Sequence, residues 1–179
     1  MLISLINEAI HGKRQSQKRL YELFAPYLFT VARRYNSSSI DSLDILQEAF
    51  IEIFKDLKKY DATKGRFKNW STTITIRTAL RLNSKRPKEV LITESHLNLA
   101  DNAHGPIEQM SAEHLLHLID QLPDKYKAVF NMAVIDGYTH KQISQELDIK
   151  ESTSRSLLKR AREKITRRII VVKIKEGIR

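Results

Sequence analysis

The side chains of this chain with chemistry to offer are mostly cations set at helical spacing. Arg155, Lys159, Arg160, Arg162 and Lys164 crowd one stretch near the C-terminus, with Thr153, Ser154 and Ser156 beside them. On a helix that enters the major groove, Arg and Lys pair with guanine edges or with phosphates. Thr153 and Ser154 would stand at the helix start, the end that meets base edges in a helix-turn-helix. A basic, solvated amphipathic helix with no specific ligand would show the same composition. A second cluster mixes cations with rings: Lys58, Lys59, Tyr60, Lys64, Arg66, Phe67, Lys68 and Trp70, with Asn69 among them. Arg77, Arg81 and Lys85 follow, four residues apart. Cations track phosphates, and aromatic faces stack on unpaired bases. For Phe67 and Trp70 taken singly, core packing is the stronger expectation.

A third group has the opposite sign. Asp44, Glu48 and Glu52 lie four apart, beside Gln47 and Ile51. Stacked like charges cost a free helix about 0.2–0.5 kcal/mol per pair. Inside a basic region such a stripe suits docking to a basic protein surface, although an ordinary solvated face is the plainer alternative.

Enzyme chemistry finds little support. Gly12, Gly65, Gly105, Gly137 and Gly177 are isolated, so no glycine-rich phosphate loop exists. No Ser-His-Asp or paired-carboxylate pattern stands out. His114, His117 and Glu113 have metal-compatible spacing, but no further ligand follows. No catalytic residue, metal or cofactor is expected.

The elements that position these groups are helices. Apolar residues recur at helical spacing over 3–12 and 16–35, where Leu20, Leu23, Phe24, Tyr27, Leu28 and Val31 share a face. Asp41 or Ser42 caps a third helix, with Leu46, Phe50, Ile53, Phe54 and Leu57 inward. Tyr60–Arg66 forms a turn, and Asn69–Lys85 a fourth helix ended by Pro87. Beyond 111, Leu115, Leu118, Ile119 and Leu122 make an apolar stripe. Pro123 suits the first turn of a helix running to Asp136, with Gly137 in the left-handed cap. Thr139 and Gln142 make a capping box. His140–Leu147 is a short helix, Asp148-Ile149-Lys150 a tight turn, and a long helix follows to about Arg168, with Leu157, Leu158, Ala161 and Ile165 facing inward. Asp148 stands where a positive φ is needed, which Asp tolerates. Ser154 occupies a place where a β-branched apolar residue usually packs on the first helix. The expected fold is all-α: two small helical domains, 1–86 and 111–179, joined by a flexible linker at 87–110.

Charge follows that division. Of 31 Lys and Arg and 21 Asp and Glu in 179 residues, net +10, residues 1–86 carry 16 and 8 (net +8). Residues 87–112 carry 1 and 4 (net −3), and residues 113–179 carry 14 and 9 (net +5). Basic lobes concentrate polyanions, and nucleic acid heads the list of partners. No apolar run approaches the ~20 residues of a membrane span. The N-terminus lacks a signal-peptide pattern and the chain holds no cysteine. A cytoplasmic location without membrane insertion is expected.

The motifs together resemble the extracytoplasmic-function group of bacterial RNA polymerase sigma factors. The resemblance rests on DILQEAFIEIF at 44–54, FKNW at 67–70, LPDKYKAVFNMAVIDGYTHKQISQEL at 122–147 and STSRSLLKRAREKI at 152–165. It implies a first domain that engages core RNA polymerase, through Asp44, Gln47, Glu48, Ile51 and Glu52. That domain would also melt the promoter minus-ten element, with Lys64, Arg66, Lys68, Asn69, Trp70, Arg77 and Arg81 on the DNA. It implies a second domain that reads the minus-35 element, with Thr139, Thr153, Ser154, Arg155, Ser156, Lys159, Arg160 and Arg162. An anti-sigma protein often sequesters such factors and is an expected partner. Departures fall where promoter DNA is read: Ser71, Thr75, Arg77 and Arg81 replace the family's usual Leu, Ala, Asn and Asp. Ser152, Ser154 and Leu157 replace Gly, Val and Arg. A free-standing helix-turn-helix regulator, binding DNA without polymerase, would explain the second lobe equally well but not the first.

Overall fold

The computed structural model describes residues 2–36, 41–84 and 112–175, and of 112–114 and 171–175 the backbone alone. The chain divides into two compact units, Met1–Pro87 and Lys88–Arg179. The expected linker at 87–110 lies outside the described residues, as does Lys85. Among the described residues all regular structure is helical.

In the first unit α1 (Leu2–Ile10) and α2 (Arg14–Tyr35) meet at Gly12, whose φ of +80° turns the chain where a side chain would be strained. The corner is tied by Glu8, which accepts from Ser16 Oγ at 2.5 Å and pairs with Lys13 at 2.9 Å. Helix α3 (Ser42–Asp56) begins as expected at Asp41, whose carboxylate accepts the Leu43 amide at 2.9 Å. A 3₁₀ turn (Leu57–Lys59) follows, and α4 (Phe67–Ser84) starts two residues earlier than its periodicity indicates. Ile6, Leu20, Leu28, Leu46, Phe50, Ile53, Leu57 and Phe67 form the core.

Helix α4 packs on both α2 and α3 with an unusually polar inner face: Ser71, Thr72, Thr75 and Thr78 are buried beside Ile76 and Ala79. Three of these hydroxyls turn back on their own helix. Ser71 and Thr72 donate to Lys68 O at 3.0 and 2.8 Å, and Thr75 donates to Ser71 O at 3.0 Å. Ser71 and Thr75 so satisfied need no partner from a neighbouring element, while Thr72 also reaches the Tyr27 hydroxyl on α2 at 3.3 Å. The apolar periodicity of α4 is therefore weak although the helix is central.

The second unit contains α5 (Ala112–Asp120), α6 (Asp124–Phe130), a π turn (Asn131–Ile135), α7 (His140–Leu147) and α8 (Glu151–Lys175). Pro123, expected in the first turn, stands instead at the N-cap position of α6, with no side-chain cap hydrogen bond. Where an unbroken helix to Asp136 was expected, the last turn widens. The Asp136 amide donates five residues back to Asn131 O at 2.9 Å, and Tyr138 N reaches Met132 O at 2.8 Å. Gly137, at φ +73°, permits that reversal. The capping box is present: Thr139 N donates to Gln142 Oε1 at 2.9 Å, and Gln142 N donates to Thr139 Oγ1 at 3.3 Å. Asp148 holds the left-handed turn at φ 50°, ψ 52°. Leu118, Ile119, Leu122, Val129, Met132, Ile143, Leu158, Ala161 and Ile165 are buried, whereas Leu115 is exposed. Helix α8 passes Arg168, its expected end, and continues through the β-branched run to Lys175.

Candidate nucleic-acid interface

Helix α8 is set by its buried stripe. Ser154, Leu158, Ala161 and Ile165 face inward, at the i, i+4, i+7, i+11 spacing of one helix face. The opposite sides expose Thr153, Arg155, Ser156, Lys159, Arg160 and Arg162, six of the residues expected on DNA. Ser154 is the correction. It is fully buried, and its Oγ lies 2.9 Å from His140 Nδ1 on α7. It packs where the usual apolar residue would and cannot reach a base. Thr139 is exposed, but its hydroxyl is engaged with Gln142. Arg155 pairs with Glu151 one turn back at 3.1 Å.

Between the start of α7 and one flank of α8 lies a shallow groove of about 550 Å³, lined by His140, Arg155, Lys159, Arg162, Glu163 and Arg167 among others. Four cations face one carboxylate there, which suits a polyanion. His140 was missed by sequence reasoning, because its partner is fourteen residues away. The signal available was Ser154: a polar residue in an apolar site calls for a polar neighbour.

In the first unit the basic-aromatic cluster divides by burial. Phe67 is 2% exposed and edges onto Phe24 and Tyr60 at 4.8 and 5.3 Å between ring centroids. Trp70 is half-buried against Tyr60 and Phe67, at 5.4 and 5.5 Å. The rings form the floor, and Tyr60 pins the loop by donating to Gly65 O at 3.0 Å. Above them Arg66 and Asn69 are exposed, Lys64 pairs with Asp61 at 3.7 Å, and the Lys68 ammonium sits 3.9 Å over the Tyr27 ring. Asp61 is held below the ordinary carboxylate range chiefly by the Thr63 hydroxyl and amide.

The acidic stripe of α3 meets Arg81 of α4. Arg81 Nη2 donates to Glu48 Oε1 at 3.0 Å, and both groups are half-exposed. Arg81 is thus committed within the protein instead of standing ready for a phosphate. Arg77 is exposed to solvent, although it too has a partner within the protein. On α3, Asp44 and Gln47 are exposed, and Glu52 is half-buried near Lys55 at 3.7 Å. Ile51 is 60% exposed and Leu43 50% exposed. Leu43, Gln47 and Ile51 stand four apart, so the acidic face carries an apolar edge. Leu43 was overlooked because it precedes the charged run.

The first unit and the second each match a known family segment. Residues 20–87 match the model for sigma-70 region 2, and residues 112–165 match the model for sigma-70 region 4. The ECF RNA polymerase sigma factor SigM of Bacillus subtilis is 27% identical over 150 residues, 80% of this chain and 91% of that protein. The ECF RNA polymerase sigma-E factor of Haemophilus influenzae is 24% identical over 179 residues, 93% of this chain and 94% of that one.

The chain belongs to the ECF sigma factors.

SigE of Mycolicibacterium smegmatis is 26% identical over 160 residues, 84% of this sigma factor but only 60% of the longer relative. Among solved structures, the fold is like that of the sigma factor RpoE in complex with the anti-sigma factor NepR from Bartonella quintana. There the TM-score is 0.58 at 16% identity, over 86% of this chain and 96% of that one. CnrH, solved with the cytosolic domain of CnrY, gives a TM-score of 0.54 at 16% identity, over 93% and 96%. Among the described residues of this sigma factor, no helix is long and apolar enough to cross a membrane.

Proposed function

We propose that this sigma factor binds core RNA polymerase and directs promoter recognition, DNA melting and transcription initiation. The first unit docks through the acidic, apolar-edged face of α3 and meets the minus-ten element through the exposed cations around Trp70. The second unit reads the minus-35 element with α8. The observation that carries the proposal is the presence of two different surfaces in one chain. A carboxylate face with Ile51 exposed on a basic unit suits a protein, and an arginine-rich helix behind a capped α7 suits DNA. The chain itself performs no catalytic step in this scheme, and it acts in the cytoplasm, where polymerase and promoters are. The likeness to RpoE held by NepR supports an anti-sigma protein as a further partner.

The test is binding of the purified chain to core polymerase without DNA, then initiation by that mixture on genomic fragments. Tight binding with new start sites is the expected result. Specific DNA binding by the chain alone, with no affinity for core enzyme, would replace the proposal with a free-standing helix-turn-helix regulator. For the docking face, Asp44→Lys should weaken core binding about tenfold, the scale of one lost charge contact. Unchanged affinity in a titration would remove α3 from the interface.

A further inference from the structure

His140 is the first residue of α7, and its ring bridges two features that otherwise look unrelated. Nδ1 is 2.9 Å from the Oγ of Ser154, a hydroxyl with no solvent exposure. His140 also lines the cationic groove on the flank of α8, among Arg155, Lys159, Arg162 and the single carboxylate Glu163. A side chain held at one ring nitrogen from inside the protein and open at the other is aimed. If the Ser154 hydroxyl donates to Nδ1, the ring proton resides on Nε2, because neutral imidazole has one donor and one acceptor nitrogen. Nε2–H then points a donor into a groove whose lining favours phosphate oxygens.

We propose that His140, oriented by Ser154, binds a DNA phosphate in this groove. The inference rests on the reading of α8 as the DNA-facing helix and adds a second element to that surface. Contacts to the backbone fix the register of a recognition helix without carrying sequence information. In this role Ser154 contributes to DNA binding from the interior, as a positioning residue that never touches the nucleic acid. A buried serine in place of an apolar residue is thereby accounted for, since it holds the ring at Nδ1 and fixes its direction.

The experiment uses holoenzyme assembled from core polymerase and the full chain, on a promoter fragment recovered from its own initiation sites. His140→Ala should weaken binding about two- to tenfold, the range of one hydrogen bond. The loss should be uniform across minus-35 sequence variants, as for a backbone contact. Ser154→Ala should give a smaller loss in the same direction. In the His140→Ala background it should add nothing, a non-additivity that independent effects on folding would not produce. His140→Gln, whose amide can reach the Nε2 position, should recover part of the affinity. Its affinity should also be insensitive to Ser154→Ala. Normal binding by His140→Ala while Arg155→Ala is impaired would overturn the inference and leave the DNA-facing role of α8 standing. So would losses that add across the two substitutions. Wild-type holoenzyme that binds no fragment would overturn both.

Discussion

Glu48 and Arg81 show how a single contact can join two surfaces with different partners. The carboxylate belongs to the stripe proposed to dock on polymerase, and the guanidinium to the stripe first expected on DNA, yet they bond to each other at 3.0 Å. Both are more than a third exposed, so solvent screens the pair and its contribution is about 0.2–1 kcal/mol. A double-mutant cycle with Glu48→Gln and Arg81→Ala should return a coupling in that range, read by urea unfolding and the fluorescence of Trp70, the chain's one tryptophan. Charge reversal at Glu48 breaks this pair as well as any docking contact, and Asp44 is the better probe of α3. Glu8 offers a pH test. Its pKa is lowered from 4.5 chiefly by the Ser16 hydroxyl, with Lys13 helping. A depressed folded-state pKa stabilises the protein above the unfolded value, and that stabilisation fades as pH falls through the folded value. Wild type should therefore lose more stability than Ser16→Ala between pH of about 5 and about 3. Equal slopes in parallel unfolding series would dismiss the role of this contact.

At the level of elements, the α7 cap and the turn between α7 and α8 set the angle at which the basic helix is presented. Both halves of the capping box are formed. Thr139→Ala should cost about 1 kcal/mol of stability, seen as a lower midpoint for loss of helical circular dichroism. Asp148 works against its own preference, because an L side chain at φ 50° is strained. Asp148→Gly should stabilise the protein by about 0.5–1 kcal/mol through relief of that strain. A lower midpoint would show that the carboxylate contributes something the backbone geometry does not reveal. Helix α4 makes the opposite point about propensity. Its threonines are poor helix formers, yet the hydroxyls bond back to the preceding turn and the helix holds its place between α2 and α3.

For the molecule as a whole, net +10 makes DNA affinity a function of salt. Each phosphate neutralised contributes about −0.9 to the slope of log affinity against log salt. Arg160→Ala should reduce that slope by about one if Arg160 meets the backbone. Arg155→Ala should instead cost about 1–3 kcal/mol at one promoter position if it grips a base edge. A uniform loss across promoter variants would place Arg155 on phosphate as well.

Much of this was written in the sequence. Apolar spacing and capping residues placed the start of each α-helix of the described residues to within two positions, because a 3.6-residue period needs only local information, whereas α8 runs well past its expected end. Capping residues and the left-handed turns at Gly137 and Asp148 were legible for the same reason: their hydrogen bonds close within a few residues. The exposed cations of α8 followed from its inward stripe. Contacts between distant positions were decided by tertiary packing alone. Arg81 turned to Glu48, Lys68 settled over Tyr27, and Ser154 went inward to meet His140. A cation or a hydroxyl on a helix has the same local chemistry whether water, a phosphate or another side chain faces it. Only the approach of a second helix determines which it meets.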